Sequence, residues 1–295
     1  MDWTIKKILD WSTDYFQKKG VDAPRLNAEL LLGKILGLGR VQLYVQFDRP
    51  LNDAELSAFK SLVQRRAARE PLAYILGERE FFSLRFEVSS ATLIPRPETE
   101  ELVERGLHHL KALALEAPAI LDIATGSGCI LISLLAQMPS AQGTAFDLQT
   151  EALAIAQRNA AALGVAERSS WFEQDLHRPW PEWATGPFDL ITANLPYVPA
   201  ADWEVLEPEV RDHEPKLALV PGLSGLEAFE AVLPQISPRL SERGLALLEI
   251  GMDQGNILLE MSHQIAGDLE ARVHPDLSGR PRFLELGRHL PPAQA

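Results

Sequence analysis

The stretch Ala119-Ile-Leu-Asp-Ile-Ala-Thr-Gly-Ser-Gly128 decides the fold of this chain. Its first half, from Ala119 to Ile123, is a short apolar run of the kind that forms a buried strand. Gly126 and Gly128 then let the backbone turn tightly and approach a ligand closely, before a helix that runs through Gln137. A strand, a glycine-rich turn and a helix in this order predict the first unit of an α/β sheet.

The alternation of strands and helices continues toward the C-terminus. Strands are predicted at residues 144–147, 170–173, 188–193 and 244–250, and helices at 150–162 and 225–236. Two final strands, at 270–274 and 282–286, flank a turn at Gly279, and a closing hairpin would make the last strand antiparallel. The pattern predicts an α/β fold with a doubly wound, mostly parallel, seven-stranded sheet of the Rossmann-like kind. Residues 291–295 are expected to form a loose tail.

The first part of the chain has a different, helical character. Apolar spacing predicts helices over residues 4–19, over 24–36 and from Asp53 to Pro71, while residues 77–88 have the alternation of a hairpin. The expected domains are therefore a helical bundle at 1–75, a hairpin and linker at 76–95, and the α/β domain at 96–295. In the linker region, Arg96 is a candidate for orienting a carboxylate or another loop.

Composition narrows the classes of function. The net charge of −13 argues against a protein that wraps nucleic acid, and the dense basic cluster at residues 64–69 is interpreted as a solvated helix end. No apolar run reaches 18 residues, and the N-terminus has no secretory pattern, so neither a membrane span nor export is expected. The single cysteine, Cys129, fits a reducing cytoplasm. We expect a cytoplasmic monomer without a metal site.

The glycine loop predicts a nucleoside ligand that lacks phosphates. A nicotinamide fingerprint would need a third glycine at the position of Leu131, so a dinucleotide is disfavoured. S-adenosylmethionine suits a two-glycine loop, and its cationic groups can be attracted by carboxylates such as Asp122. Asp147, at the end of the next strand, can accept both ribose hydroxyls. Asp175 and Leu176 would then flank the adenine.

A second stretch, Phe188-Asp-Leu-Ile-Thr-Ala-Asn-Leu-Pro-Tyr-Val198, stops abruptly at Pro196. Pro196 places Leu195 in an extended conformation, which leaves the Asn194 side chain and the Leu195 carbonyl at the strand end. An amide oxygen and a backbone carbonyl can each accept one N–H of a planar NH2 group. The alternative is an ordinary strand and proline turn, in which Asn194 makes only a local hydrogen bond.

Motifs across nearly the whole chain resemble the N5-glutamine methyltransferases of peptide chain release factors. They are Arg69-Glu-Pro-Leu-Ala-Tyr-Ile-Leu-Gly77, Leu93-Ile-Pro-Arg-Pro-Glu-Thr-Glu100, Ile120–Gly128, Glu209-Val-Arg-Asp-His-Glu-Pro215 and Asp276-Leu-Ser-Gly-Arg-Pro-Arg282. The resemblance implies a class I methyltransferase that uses S-adenosyl-L-methionine, releases S-adenosyl-L-homocysteine, and methylates the glutamine of a Gly-Gly-Gln loop. It also implies a release factor as partner. We expect the helical domain to help hold this partner, because it is separate from the cofactor core and the partner is larger than one glutamine.

The resemblance carries over to named positions of this chain. The catalytic set is Asn194, Leu195, Pro196 and Tyr197, with Tyr197 packing on the glutamine side chain. The cofactor set is Ala124, Thr125, Gly126, Ser127, Gly128, Asp147, Asp175, Leu176 and Asn194. Two positions depart from the family pattern: Leu195 replaces the first proline of Asn-Pro-Pro-Tyr, and Ala124 stands where glycine is common.

Three other functions stay open on the sequence. A nucleic-acid amino methyltransferase acting on adenine N6 or guanine N2 would use a similar corner, but it fits the acidic chain poorly. A non-catalytic protein that only binds S-adenosylmethionine would not need that corner. A nicotinamide oxidoreductase is disfavoured by Leu131.

Overall fold

The computed structural model describes residues 3–290, so the predicted tail at 291–295 lies outside the described residues. The chain divides into two compact units. One consists of the residues up to Glu78 together with Glu207–His213, and the other of Arg79–Leu206 and the residues from Glu214 onward. No helix within residues 3–290 has the length and apolar character needed to cross a lipid bilayer.

The first unit is a small helical bundle. Its helices are α1 (Ile5–Lys18), α2 (Pro24–Leu36), α3 (Arg40–Val45), α4 (Asp53–Ala67) and α5 (Leu72–Leu76). The Thr4 hydroxyl caps α1 and the Asn52 side chain caps α4, each by accepting a backbone N–H. The apolar faces of these helices share one core. The sequence did not predict α3 and α5, because helices of six and five residues are too short to show a clear apolar period.

The second unit contains the sheet and its helices. Its strands are β1 (Glu78–Phe81), β2 (Leu84–Glu87), β3 (Ala119–Ile123), β4 (Gln142–Asp147), β5 (Ser169–Glu173), β6 (Phe188–Asn194), β7 (Leu240–Glu249), β8 (Glu270–Pro275) and β9 (Pro281–Gly287). Its helices are α6 (Glu98–Leu113), α7 (Cys129–Gln137), α8 (Thr150–Ala162), α10 (Glu227–Ile236) and α11 (Gly255–Ile265). A short helix, α9 (Pro208–Arg211), belongs to the first unit. Helix α11 was not predicted, although Leu258, Met261 and Ile265 recur along it at helical spacing and could have identified it.

The seven-stranded sheet has the order β5-β4-β3-β6-β7-β9-β8. Strands β3 to β7 pair in parallel, and β9 runs antiparallel to both β7 and β8. The predicted doubly wound, mostly parallel sheet with an antiparallel last strand is confirmed. The strand order reverses between β3 and β6, and the carboxyl ends of strands beside such a switch point form the ligand crevice of open α/β sheets.

The two faces of the sheet bury alternate residues of the same strands. On one face, Leu121 and Ile191 pack with α10 and α11, and on the other, Ile120 and Leu190 pack with α6 and α7. A parallel strand buried on both faces is a continuous apolar run, as the sequences of β3 and β6 are. This double burial fixes where each strand ends, and hence which side chains reach the crevice.

Within the basic cluster at residues 64–69, Gln64 and Arg65 are exposed as the sequence suggested, but Arg66 and Arg69 are not part of a solvated helix end. Arg66 is only 6% exposed and donates hydrogen bonds to Asn27 Oδ1 at 2.8 Å and to Glu209 Oε1 at 3.2 Å. Arg69 donates to the other oxygen of Glu209 at 2.6 Å. The prediction was wrong because the carboxylate partner is more than a hundred residues away in sequence, beyond the reach of a local pattern.

Candidate functional site

The carboxyl ends of β3, β4 and β6 open into a cavity of about 540 Å³ within the second unit. Most of the predicted site residues line it: Ala124, Thr125, Gly126, Ser127, Asp147, Asp175, Leu176, Asn194 and Pro196. Gly128, Leu195 and Tyr197 do not. Residues of the linker and of a later loop complete the wall: Ser90 to Leu93, Pro95, Arg96 and Thr99, and Pro215 to Ala218 with Pro221.

The loop after β3 is shaped by three left-handed residues. Ala124, Gly126 and Gly128 have φ values of 54°, 56° and 79°. A Cβ placed on Gly126 would meet no protein atom within 4 Å, so this face of the loop is open to the cavity. A Cβ on Gly128 would lie 2.8 Å from the Ile132 side chain, so the second glycine serves the packing of α7. Ala124 holds the left-handed conformation that a glycine would adopt without strain.

Asp147 fastens this loop to the end of β4. Its Oδ2 accepts the Gly126 N–H at 2.8 Å, and its Oδ1 accepts the Gln149 N–H at 2.9 Å. Burial raises the pKa of the Asp147 carboxyl, and the backbone N–H donors oppose that rise. The carboxylate is therefore held rigidly at the cavity wall, with lone pairs left to accept further hydroxyl donors.

Asp122 lies beneath the cavity and does not line it. Its two oxygens accept the hydroxyls of Thr125 at 2.5 Å and Thr192 at 2.7 Å, and the residue is fully buried. Burial raises the pKa of Asp122 to about 7. The expectation that this carboxylate attracts the ligand directly is therefore wrong. It lies on β3, one residue before the strand ends, and anchors the glycine loop through Thr125.

The adenine-side candidates follow β5. Asp175 accepts the His177 N–H at 2.9 Å in the loop that begins there, and Leu176 forms part of the cavity wall. The sequence missed Ile130, Leu148 and Gln149, which line the same cavity. The position of Leu148 and Gln149 directly after the end of β4 is the signal that could have identified them.

The corner after β6 lies between two pockets. Asn194 borders the main cavity and also a small adjoining pocket of about 30 Å³, which Leu195 and Tyr197 line. Leu195 is 1% exposed and belongs to the core of the sheet. Burial raises the pKa of the Tyr197 hydroxyl to about 12, so this side chain stays neutral. The Asn194 amide nitrogen donates to the Thr99 hydroxyl at 3.3 Å.

The loop that contributes Pro215 to Ala218 to the cavity wall is held by a partly buried ion pair. The Arg96 guanidinium donates to Glu214 Oε1 at 2.6 Å, and Glu214 Oε2 accepts the Ile94 N–H at 3.2 Å. Glu214 is buried and directly precedes the cavity residues Pro215 and Lys216. Arg96 thus orients another loop, one of the two roles considered for it. Residues 3–290 contain no group of His, Cys, Asp or Glu side chains arranged to hold a metal ion.

Comparisons with known proteins agree with this architecture. Residues 7–77 match the PrmC N-terminal domain and residues 120–213 match a methyltransferase domain. In solved structures, the hMettl16 catalytic domain, determined in complex with a MAT2A 3′UTR hairpin, aligns with a TM-score of 0.55 over 82% of this chain and 85% of that chain, at 17% identity. Identity this low shows only the shared fold, which is that of a class I methyltransferase.

Sequence relatives are much closer. The release factor glutamine methyltransferase of Geobacter sulfurreducens is 46% identical over 259 residues, which cover 88% of each chain. That of Chlorobaculum tepidum is 42% identical over 255 residues, covering 85% of this chain and 86% of that protein. The chain therefore belongs to the family of release factor glutamine methyltransferases.

Proposed function

We propose that this protein transfers a methyl group from S-adenosyl-L-methionine to the side-chain amide nitrogen of the glutamine in the Gly-Gly-Gln motif of peptide chain release factors. Membership of the family supports the reaction. The single structural observation that carries the proposal is the orientation of Asn194. Its amide nitrogen donates a hydrogen bond to the Thr99 hydroxyl, which leaves its amide oxygen to accept a hydrogen bond at the edge of the cavity.

The cavity suits the cofactor in size and in donor set. Its volume lies within the roughly 300–1,000 Å³ typical of small-molecule sites. We assign Asp147 to the ribose hydroxyls, Asp175 and Leu176 to the adenine, and the residues from Ala124 to Gly128 to the loop that supports the ligand. When bound, S-adenosyl-L-methionine supplies a methyl group activated by its sulfonium, and S-adenosyl-L-homocysteine is the product.

The corner residues hold the glutamine. An amide nitrogen is a weak nucleophile because its lone pair is delocalised into the carbonyl, so positioning must supply much of the acceleration. We assign Asn194 Oδ1 and the Leu195 carbonyl to accept the two N–H groups, with Pro196 restraining the turn and Tyr197 packing against the side chain. The same oxygens stabilise positive charge that develops on nitrogen. The N–H proton can leave after the C–N bond forms, so no early base is required.

The helical domain, residues 1–75, is assigned to gripping the release factor, with residues 76–95 as hairpin and linker and 96–295 as the methyltransferase domain. A partner much larger than one glutamine needs contacts beyond the corner. The net charge of −13 favours a protein substrate over nucleic acid, whose binding requires neutralised phosphates. We also propose a cytoplasmic monomer, in keeping with a single cysteine and the place where translation ends.

The decisive experiment is a mass spectrum of purified release factor after incubation with this protein and S-adenosyl-L-methionine. One methyl group is expected on the loop glutamine, and none on a release factor in which that glutamine is replaced by alanine. DNA and RNA, offered under the same conditions with a radiolabelled methyl donor, should stay unlabelled. Labelled nucleic acid with unmodified release factor would replace this proposal by the adenine or guanine methyltransferase.

A further inference from the structure

A buried hydrogen-bond chain connects Asn194 to a carboxylate on the neighbouring strand. Asn194 and Glu249 are register partners at the carboxyl ends of β6 and β7, and Thr99, in the first turn of α6, bridges them. The Thr99 hydroxyl donates to Glu249 Oε2 at 2.6 Å and accepts from Asn194 Nδ2 at 3.3 Å. Thr99 and Glu249 are each 2% exposed, so water does not compete for these bonds.

The chemistry of the three groups determines which of them donates and which accepts in each hydrogen bond. While Glu249 is ionised, its carboxylate can only accept hydrogen bonds, so the single Thr99 hydroxyl proton is committed to Glu249. The Thr99 oxygen can then only accept, and its partner must be the NH2 end of Asn194. The oxygen end of Asn194 is left to face away from Thr99.

We propose that Thr99 and Glu249 are positioning residues that fix the Asn194 amide with its oxygen available to the substrate. The inference rests on the proposed function. It identifies the groups that set which end of the Asn194 amide faces the substrate. The two ends of an asparagine amide have nearly the same shape, so packing alone cannot distinguish them. A flipped Asn194 would direct N–H donors at the N–H donors of the glutamine and would reject the group that the corner must hold.

The charge state of Glu249 controls this direction. Several charged or titratable groups face it: Arg282 on β9, Arg96 and Glu98 beside the start of α6, Tyr197 after β6 and Cys129 on α7. Burial raises the pKa of Glu249 above its ordinary value, against the opposing effects of Thr99 and the two arginines. Once protonated, Glu249 can donate to Thr99, which frees the hydroxyl proton for Asn194 Oδ1. The rate of methyl transfer should therefore fall as pH decreases through this raised pKa. The affinity for S-adenosyl-L-methionine should not change over the same pH range.

Three substitutions test the hydrogen-bond chain from Asn194 to Glu249, in assays with release factor as substrate. Thr99→Val keeps the shape but removes the hydroxyl, and kcat should fall about 10- to 100-fold, the effect of misplacing a positioning group. Thr99→Ser restores the hydroxyl and should recover most of that loss. Glu249→Gln, whose amide can donate, should lower kcat and abolish the acid limb of the pH profile. In all three, calorimetry should give a nearly unchanged dissociation constant for S-adenosyl-L-methionine.

A control and an independent spectroscopic measurement separate orientation from loss of folding or activity. Ser262→Ala removes a buried hydroxyl on α11 that bonds only to a backbone carbonyl, and its kcat should match that of the native protein. In protein labelled with ¹⁵N-asparagine, the Asn194 NH2 signal, assigned by its loss in Asn194→Ala, should shift in Thr99→Val. It should also titrate with Glu249 in the native protein.

The outcomes distinguish this inference from the proposed function. A native protein that leaves release factor unmethylated overturns the function, and the NMR signal still decides the orientation. Native kcat in Thr99→Val, an unchanged pH profile in Glu249→Gln, or an Asn194 signal insensitive to both overturns the inference. If Thr99→Val does not fold, the pH dependence of the Asn194 signal in the native protein gives the answer.

Discussion

The Asn194 amide nitrogen donates a hydrogen bond to the Thr99 hydroxyl, and we propose that the amide oxygen accepts one from the substrate. We expect Asn194→Ala to lower the methylation rate by about 10²- to 10³-fold, the usual effect of deleting one preorganised polar group at a reacting centre. The dissociation constant of S-adenosyl-L-methionine should change little. Rates measured at saturating cofactor, together with isothermal titration, check both statements. Lost cofactor binding with a native rate per bound cofactor would contradict this role.

Asp147 lines the same cavity, and in the proposed function it binds the cofactor. Its carboxylate already holds the Gly126 and Gln149 N–H groups, so Asp147→Ala removes both the ribose acceptor and the fastening of the loop. The dissociation constant of S-adenosyl-L-methionine should rise at least about tenfold, as for the loss of a charged hydrogen bond. Calorimetry measures this directly, with Asp202→Ala, outside the cavity lining, as the control. An unchanged constant for Asp147→Ala would remove this residue from the site.

At the scale of elements, Gln254 joins three segments near the corner. Its amide nitrogen donates to the Tyr197 and Gly225 carbonyls at 3.0 and 3.1 Å, and its oxygen accepts the Gly251 N–H at 2.8 Å. The corner after β6, the turn before α10 and the residues after β7 are thereby held together. The backbone at Tyr197 is fixed by this contact as well as by Pro196.

The turn at Gly225 offers a test of how closely the corner is held. Gly225 has a φ of 79°, and a Cβ there would lie 2.5 Å from the Tyr197 carbonyl oxygen. Gly279 has nearly the same φ of 80° with no atom within 4 Å. Alanine at either position should cost about 1–2 kcal/mol of stability from the left-handed backbone. Only Gly225→Ala should also slow methyl transfer several-fold, because it displaces the corner; equal rates for the two variants would contradict this reasoning.

At the scale of the whole molecule, we propose that the helical unit recognises the protein substrate. Val41 and Val45, one turn apart on α3, are 77% and 80% exposed and place two apolar side chains on the surface of the helical unit. We expect Val41→Asp with Val45→Asp to raise the KM for intact release factor several-fold without changing the KM for a short Gly-Gly-Gln peptide. The matched control is Ser57→Asp with Ser61→Asp, at the same spacing on an exposed part of α4. Equal effects on factor and peptide, or in both double variants, would contradict a docking role for α3.

The sequence by itself determined the features that depend on residues adjacent along the chain, such as strands, turns and strand ends. The apolar runs of β3 and β6, the glycine turn between β3 and α7 and the proline stop after Asn194 are local signals. They predicted the sheet, the position of the crevice and nine of the residues that line it. Family motifs added the reaction. Helices α3 and α5 were not predicted because helices of six and five residues leave little apolar period. Helix α11 was missed although its apolar residues have a helical spacing.

Only the tertiary structure decided which polar groups meet. Thr99 is 95 residues from Asn194 and 150 from Glu249, and Arg66 is 143 from Glu209. No local pattern links such positions, because their contact depends on strand order and on the register of packed elements. The burial of Asp122 beneath the loop was decided in the same way. A sequence states which donors and acceptors exist, but the direction of each hydrogen bond is set by the partner that folding brings to it.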